Sequence, residues 1–364
     1  MTSWSDDTTV APGRYNRGTD AHNYEVFVGS EPGDMGGAEI AGPTDEEIIF
    51  DAAYTYLSNG PRYFKAADLE TLLGDADPDN DPFVLSIRGA TDYETAHIPG
   101  AVRMDWRTLF TMENLVLLPA DDTMIVVVCY TGQTASHVTP LLNMLGYNAS
   151  TLLHGMCSWT PAAVKCFNAT TAQQNYPVVS GGEPGTPADG ETRDNGCGGD
   201  TPVDGGEWTG SSEEWEIIRH ACDAYISSIP TMYTTNVALY SNLYDGWTAN
   251  DPFVLSVRGA DHYLAGHVPT AVNIGVTELL EPENLAMLPT DKQIVVYCYT
   301  GHTAANTNAI LGVLGYDSLT MKFGMCSWSS NSTVNAGKCF SGGANYNIST
   351  GSDPGDWDSA APAE

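Results

Sequence analysis

The stretch VVVCYTGQTASHVTPLLNMLGY at 126–147 returns as VVYCYTGHTAANTNAILGVLGY at 295–316. In both, a β-branched run that is apolar at nearly every position ends on a cysteine, as expected of a strand buried on both faces. A short glycine-containing loop follows, and then apolar residues recur at helical spacing up to a Gly suited to a left-handed stop. A buried strand, a tight loop and a helix in that order predict an α/β unit with a parallel sheet. Pro140 falls inside the first of these helices, where it is tolerable only in the first turn or at a kink.

The self-similarity extends outward. DPFVLSIRGATDYETAHIPGAV at 81–102 matches DPFVLSVRGADHYLAGHVPTAV at 251–272, an offset of 170, and ENLVLLP answers ENLAMLP at the same offset. After a one-residue deletion HGMCSW at 154–159 answers FGMCSW at 323–328. Each copy opens with an amphipathic helix, from Asp45 and from Ser211, with carboxylates in its first turn to complement the helix dipole. The runs FVLSI and FVLSV read as further central strands. Two domains are therefore expected, at 44–178 and 211–341, and the length affords two cores. The Gly-, Pro- and Asp-rich stretch 179–210 reads as a linker. Residues 1–43 read as an extended N-terminal segment in which 23–29 is a candidate lone strand, and 342–364 as an acidic tail.

Composition narrows the partners. Against 46 acidic residues stand 14 basic ones, a net charge of −32. Binding to nucleic acid or an anionic lipid surface needs positive patches and is not expected. No stretch approaches the ~20 apolar residues that span a bilayer. Eight cysteines and four glycosylation sequons, at Asn148, Asn168, Asn331 and Asn347, point to an extracytoplasmic protein, a mature form whose leader has been removed. The N-terminal MTSWSDDTTVAPGRYNRG has no apolar signal core and, taken literally, points to the cytoplasm instead.

A cysteine at the C-terminal end of a parallel strand, ahead of a helix, sits where backbone N–H groups and the helix dipole favour a thiolate. Its pKa is expected to fall from about 8.5 to below about 7.5. Gly132 and Gly301 supply the permissive dihedral, and small Thr131, Thr134, Thr300 and Thr303 let the backbone wrap a bound atom. The same cysteines also read as packed core thiols.

LSIRGATDYETAHIPGAV followed by VVVCYTGQTAS, with its counterpart from Leu255, resembles a rhodanese-like (sulfurtransferase) domain, over 44–168 and again over 212–341. The resemblance implies an open, mostly parallel sheet flanked by helices, and a cysteine that accepts a sulfane sulfur as a persulfide. Cys129 and Cys298 match the nucleophile. Tyr130, Thr131, Gly132, Gln133 and Thr134, and Tyr299, Thr300, Gly301, His302 and Thr303, match the cradle that holds the substrate. Arg88 and Arg258 match the strand-end arginine, read either as a substrate contact or as a structural partner of a loop carboxylate. His97 and His267 match the residue that braces the HIPGA turn.

The chain departs from the family pattern in three places. Ser86 and Ser256 stand where many members carry Asp, Thr270 replaces the Gly of the second HIPGA segment, and neither loop has an arginine to pair with an anionic donor. A phosphatase-like reading needs that arginine in a longer loop and is disfavoured. His302, if protonated, would lower the pKa of Cys298. The implied chemistry moves a sulfur from thiosulfate or a polysulfide to a thiol acceptor and requires no cofactor. The rival expectation is a non-catalytic extracellular assembly protein that uses its two tails for self-association.

Cys157 and Cys166, and Cys326 and Cys339, follow the same GMCSW and are near enough to close a disulfide in each copy. Cys197 and Cys222 have no counterparts in the repeat. Asp75, Asp77, Asp79 and Asp81 alternate as in half a calcium loop, but the Gly and distal Glu of a full one are missing, so an acidic solvated turn competes with a calcium site.

Overall fold

The computed structural model describes residues 43–160, 165, 166, 212–339, 347, 348, 361 and 362, apart from positions 76, 78, 96, 244, 246, 248 and 330. The strand expected at 23–29, the linker at 179–210 with Cys197, and Asn168 lie outside these residues. So do most of the two tails.

The first copy runs α1 (Asp45–Asn59), β1 (Tyr63–Phe64), α2 (Ala66–Gly74), β2 (Phe83–Ser86), α3 (Ala90–Thr95), β3 (Val102–Arg103), α4 (Met112–Leu115), β4 (Ile125–Val128), α5 (Gln133–Met144), β5 (Ala149–Leu152) and α6 (Met156–Trp159). The second repeats it as α7 (Ser212–Ser228), β6 (Tyr233–Thr234), α8 (Asn236–Leu243), β7 (Phe253–Ser256), α9 (Ala260–Ala265), β8 (Val272–Asn273), α10 (Pro282–Leu285), β9 (Ile294–Tyr297), α11 (His302–Val313), β10 (Ser318–Met321) and α12 (Gly324–Trp328), with one added 3-10 turn at Val276–Glu278. A short antiparallel pair, β11 (Asn347–Ile348) with β12 (Ala361–Pro362), follows.

Local chemistry explains the starts. Thr44 caps α1 in a reciprocal box, its hydroxyl accepting the Glu47 N–H at 3.3 Å while the Glu47 carboxylate accepts the Thr44 N–H at 2.9 Å. Gly132 and Gly301 precede α5 and α11 with φ of 81° and 88°, a region closed to most L-residues. Pro140 lies well past the first turn of α5, so that helix forgoes the bond to the Ser136 carbonyl.

Each copy is a five-stranded parallel sheet, in the orders β1-β5-β4-β2-β3 and β6-β10-β9-β7-β8. The strand before each cysteine is therefore the central one, and every residue of β4 and β9 is buried. That accounts for their uninterrupted apolar run.

The two copies share part of their apolar core. Among the described residues the largest apolar cluster is shared, running from Leu85, Ile125 and Val127 of one sheet through Leu57, Leu141, Ile226 and Ile310 to Leu255, Ile294 and Val296 of the other. The helices α1, α5, α7 and α11 fill this middle layer. Smaller clusters lie on the outer faces, around Leu69, Val126 and Trp159 and around Leu239, Val295 and Trp328. The physical reason is that each sheet has two apolar faces, while α1 and α5 of one copy cannot cover theirs without leaving their own far sides exposed. Packing the two copies face to face buries both. Polar ties cross the same plane, from Trp215 to the Leu145 carbonyl at 3.2 Å and from Arg219 to the Phe110 carbonyl at 3.2 Å.

Candidate active site

The sandwich brings the two cysteine loops against each other. Gln133 Nε2 donates to the Thr300 carbonyl at 2.9 Å, and His302 Nε2 donates to the Thr131 carbonyl at 2.8 Å. Because a carbonyl only accepts, Nε2 carries the His302 proton and Nδ1 accepts from the Thr300 hydroxyl at 2.7 Å. The approach is close, since a Cβ placed on Gly132 would stand 2.6 Å from His302 Nε2.

Both sulfurs lie beneath this contact, each residue only 1% exposed. The Ala135 N–H reaches Cys129 Sγ at 3.3 Å, and the N–H groups of Thr131, Gly132 and Thr134 add to the same cradle. In the second loop the Gly301 N–H lies 3.1 Å from Cys298 Sγ. Around Cys129 the cradle read from the sequence is present, but its expected electrostatic result is not. Burial pushes the Cys129 thiol up, and the four N–H groups offset this only in part. The expected fall counted only the N–H groups and the helix dipole, whereas the opposite repeat removes water from the loop.

His302 is corrected for the same reason. It is buried, and its pKa falls to about 4 because desolvation disfavours the imidazolium. It stays neutral near pH 7 and cannot act as a cationic neighbour of Cys298.

Tyr130 and Tyr299 turn away from the contact. Tyr130 donates to Asp92 at 2.5 Å, and Tyr299 bonds His262 Nδ1 at 2.6 Å. Lys165 and Lys338 sit over these two rings, 3.9 Å and 4.1 Å from the centroids. Each lysine precedes a bridged cysteine, in the disulfides Cys157–Cys166 and Cys326–Cys339. Cys222 is a free thiol buried in the shared core.

Arg88 and Arg258 are buried braces. Arg88 donates to the Asp92 carbonyl, and Arg258 to the carbonyls of His262, Val334 and Gly266. Arg88 also lies within electrostatic range of Cys129. His97 stacks on Tyr93 and His267 on Tyr263, centroids 3.8 Å apart in each pair, and the Nδ1 of each histidine meets the carbonyl of its tyrosine.

The acidic turn is organised from within. Asp75 accepts the Asp77 N–H at 2.8 Å and the Asn80 amide at 3.0 Å, and Asp245 does the same with Trp247 and Asn250 in the second copy. Among the described residues no group of three or more His, Cys, Asp or Glu side chains is placed to hold a metal ion. None of the described helices is long and apolar enough to cross a membrane.

Two contributions escaped the sequence reading. The GMCSW segment supports the loop from behind, with N–H groups of Met156 and Cys157 bonding the Cys129 and Tyr130 carbonyls, and Met325 and Cys326 bonding those of Cys298 and Tyr299. Gly155 and Gly324 are required there, since an added Cβ would stand 2.4 Å from the cysteine carbonyl oxygen in each case. The exact recurrence of GMCSW in both copies was the available signal. Tyr63 and Tyr233 reach the opposite loop, and nothing in their sequence surroundings announced it.

A central parallel strand that delivers a cysteine into a glycine-containing loop whose backbone N–H groups meet the sulfur, built twice, defines an α/β protein with two buried thiol sites. The model of the rhodanese-like domain matches residues 65–162 and 235–331, and the chain belongs to that family. Among solved structures, it is similar to a rhodanese-related protein from Thermoplasma volcanium, with 23% identity over 32% of this chain and 96% of that one, at a TM-score of 0.24. It is similar to thiosulfate sulfurtransferase from Pseudomonas aeruginosa, with 17% identity over 88% of this chain and 50% of that one, at a TM-score of 0.29. A rhodanese-like domain protein from Staphylococcus aureus shares 21% identity over 26% of this chain and 88% of that one, at a TM-score of 0.24. No curated protein matches the sequence.

Proposed function

We propose that the protein is a sulfurtransferase that works through a cysteine persulfide outside the cytoplasm. The observation that carries this reading is the set of N–H groups from Thr131, Gly132, Thr134 and Ala135 aimed at one sulfur, Cys129, with Cys298 held in the equivalent loop. The thiolate attacks the outer sulfur of thiosulfate or a polysulfide, the donor's S–S bond breaks, and sulfite or a shortened polysulfide leaves. A thiol or cyanide acceptor then attacks the sulfane sulfur and regenerates the thiolate. The loop N–H groups hold the negative charge on sulfur at each stage. Both disulfides and the sequons support the extracytoplasmic placement.

Sulfur transfer is measured on wild type, Cys129→Ser, Cys298→Ser and the double variant, with thiosulfate and polysulfide donors. Activity that survives one single substitution and vanishes in the double variant is expected. Full activity in the double variant overturns the reading.

The burial of both thiols behind interlocked loops favours a second reading, a non-catalytic surface or assembly protein on the same fold. Inactivity with every donor, together with ordered oligomers that are lost when the tails are removed, would support it.

A further inference from the structure

Each cysteine loop is held in place by a tyrosine of the other repeat. Tyr233, on β6 of the second sheet, donates to Thr134 Oγ1 at 3.1 Å, and its hydroxyl lies 3.5 Å from His137 Nδ1. Tyr63, at the matching place on β1, bonds Thr303 Oγ1 at 3.0 Å and accepts from Asn306 at 3.4 Å. His137 and Asn306 occupy equivalent positions, four residues after Gln133 and His302, so the arrangement is made twice with different third partners. Each hydroxyl also lies within electrostatic range of the facing sulfur, Tyr233 of Cys129 and Tyr63 of Cys298. Thr134 is one of the residues whose N–H supports the Cys129 sulfur, so a bond to its side chain bears on the cradle itself.

The geometry points to Tyr233 as a positioning residue for Cys129 and Tyr63 as one for Cys298, so that each thiol site is completed in trans by the opposite repeat. The inference deepens the sulfurtransferase reading and rests on it for its functional meaning. A buried phenol hydroxyl, desolvated and neutral, fixes the threonine without adding charge, and the threonine N–H then meets the sulfur at a set angle. Losing one such hydrogen bond to a group that supports a charged atom is worth about tenfold in rate.

The test is crossed. Tyr233→Phe and Tyr63→Phe are made in the full chain, and alkylation of each thiol by a small reagent is followed by mass spectrometry until both have reacted in wild type. With Tyr233→Phe the ratio of Cys129 to Cys298 labelling is expected to fall about tenfold, and with Tyr63→Phe to rise about tenfold. A lesion confined to a variant's own repeat moves the ratios the opposite way, because Tyr233 shares its sheet with Cys298, and overturns the inference. Unchanged ratios overturn it too, as does faster labelling of the facing thiol, which would make the tyrosine a plug. In single-cysteine backgrounds the same variants should lower kcat about tenfold with KM within twofold. Alkylation requires no sulfur transfer, so an inactive protein with the crossed ratios sinks only the enzymatic reading, and an active one without them sinks only this inference.

Discussion

His302 of the second loop donates to the carbonyl of Thr131 in the first at 2.8 Å, so each cysteine loop is tied to the other. Its counterpart, Gln133, makes the reciprocal bond. Removing the imidazole by His302→Ala leaves the Thr131 carbonyl and the Thr300 hydroxyl facing a gap. We expect destabilisation of about 1–3 kcal/mol and faster alkylation of both thiols, whereas His302→Gln retains most of the stability. Urea unfolding and thiol labelling report the two effects.

The interface should be sensitive to acid. His302 is lowered to about 4, and His137 and His154 to about 3, each chiefly by burial, from an ordinary value of 6.5. The unfolded chain therefore takes up protons first as the pH falls below 6.5. Stability that is fully present above that value drains through pH 4 and towards 3, then levels off once the folded groups also protonate. Each histidine contributes a slope of about 1.4 kcal/mol per pH unit within its own window. Denaturation at pH 7.5, 6 and 5 should follow this course, and His302→Gln should reduce the slope by about one proton.

Gly312 in α11 lies under the ring of Tyr225 of α7, and an added Cβ would fall 2.0 Å from that ring. In an exposed helix Gly→Ala stabilises by about 1 kcal/mol. Here Gly312→Ala should destabilise by about 2 kcal/mol or more, through overpacking in the shared layer. Thermal melting gives the sign.

Thr270 holds φ of 66° where the first copy has Gly100 at 78°. A β-branched residue is strained there by about 1–2 kcal/mol. Thr270→Gly should raise stability by roughly 1 kcal/mol after the entropy cost of glycine, read as a higher urea midpoint at unchanged slope.

Each disulfide ties the GMCSW segment, and through it the cysteine loop, to a lysine over Tyr130 or Tyr299. Replacing both members of one pair by Ser should cost about 2–4 kcal/mol. Reductant should lower the melting temperature of wild type and leave a variant lacking both pairs unmoved.

The repeat, the parallel strands, the cradle glycines and the disulfide pairs were all legible in the chain, because each rests on contacts local in sequence or on a pattern stated twice. Strand burial shows as an unbroken apolar run, and φ > 0 shows as Gly132 and Gly301. What lay beyond reach was the partner of each loop. The ionisation of Cys129 and His302 depends on how much water reaches them, and that is set by residues 99 to 171 positions away, such as Tyr233 against Thr134 and Thr131 against His302. Desolvation is a property of the assembled sandwich, so the sequence by itself determined two thiol cradles, and only the tertiary structure decided that they face, cover and complete each other.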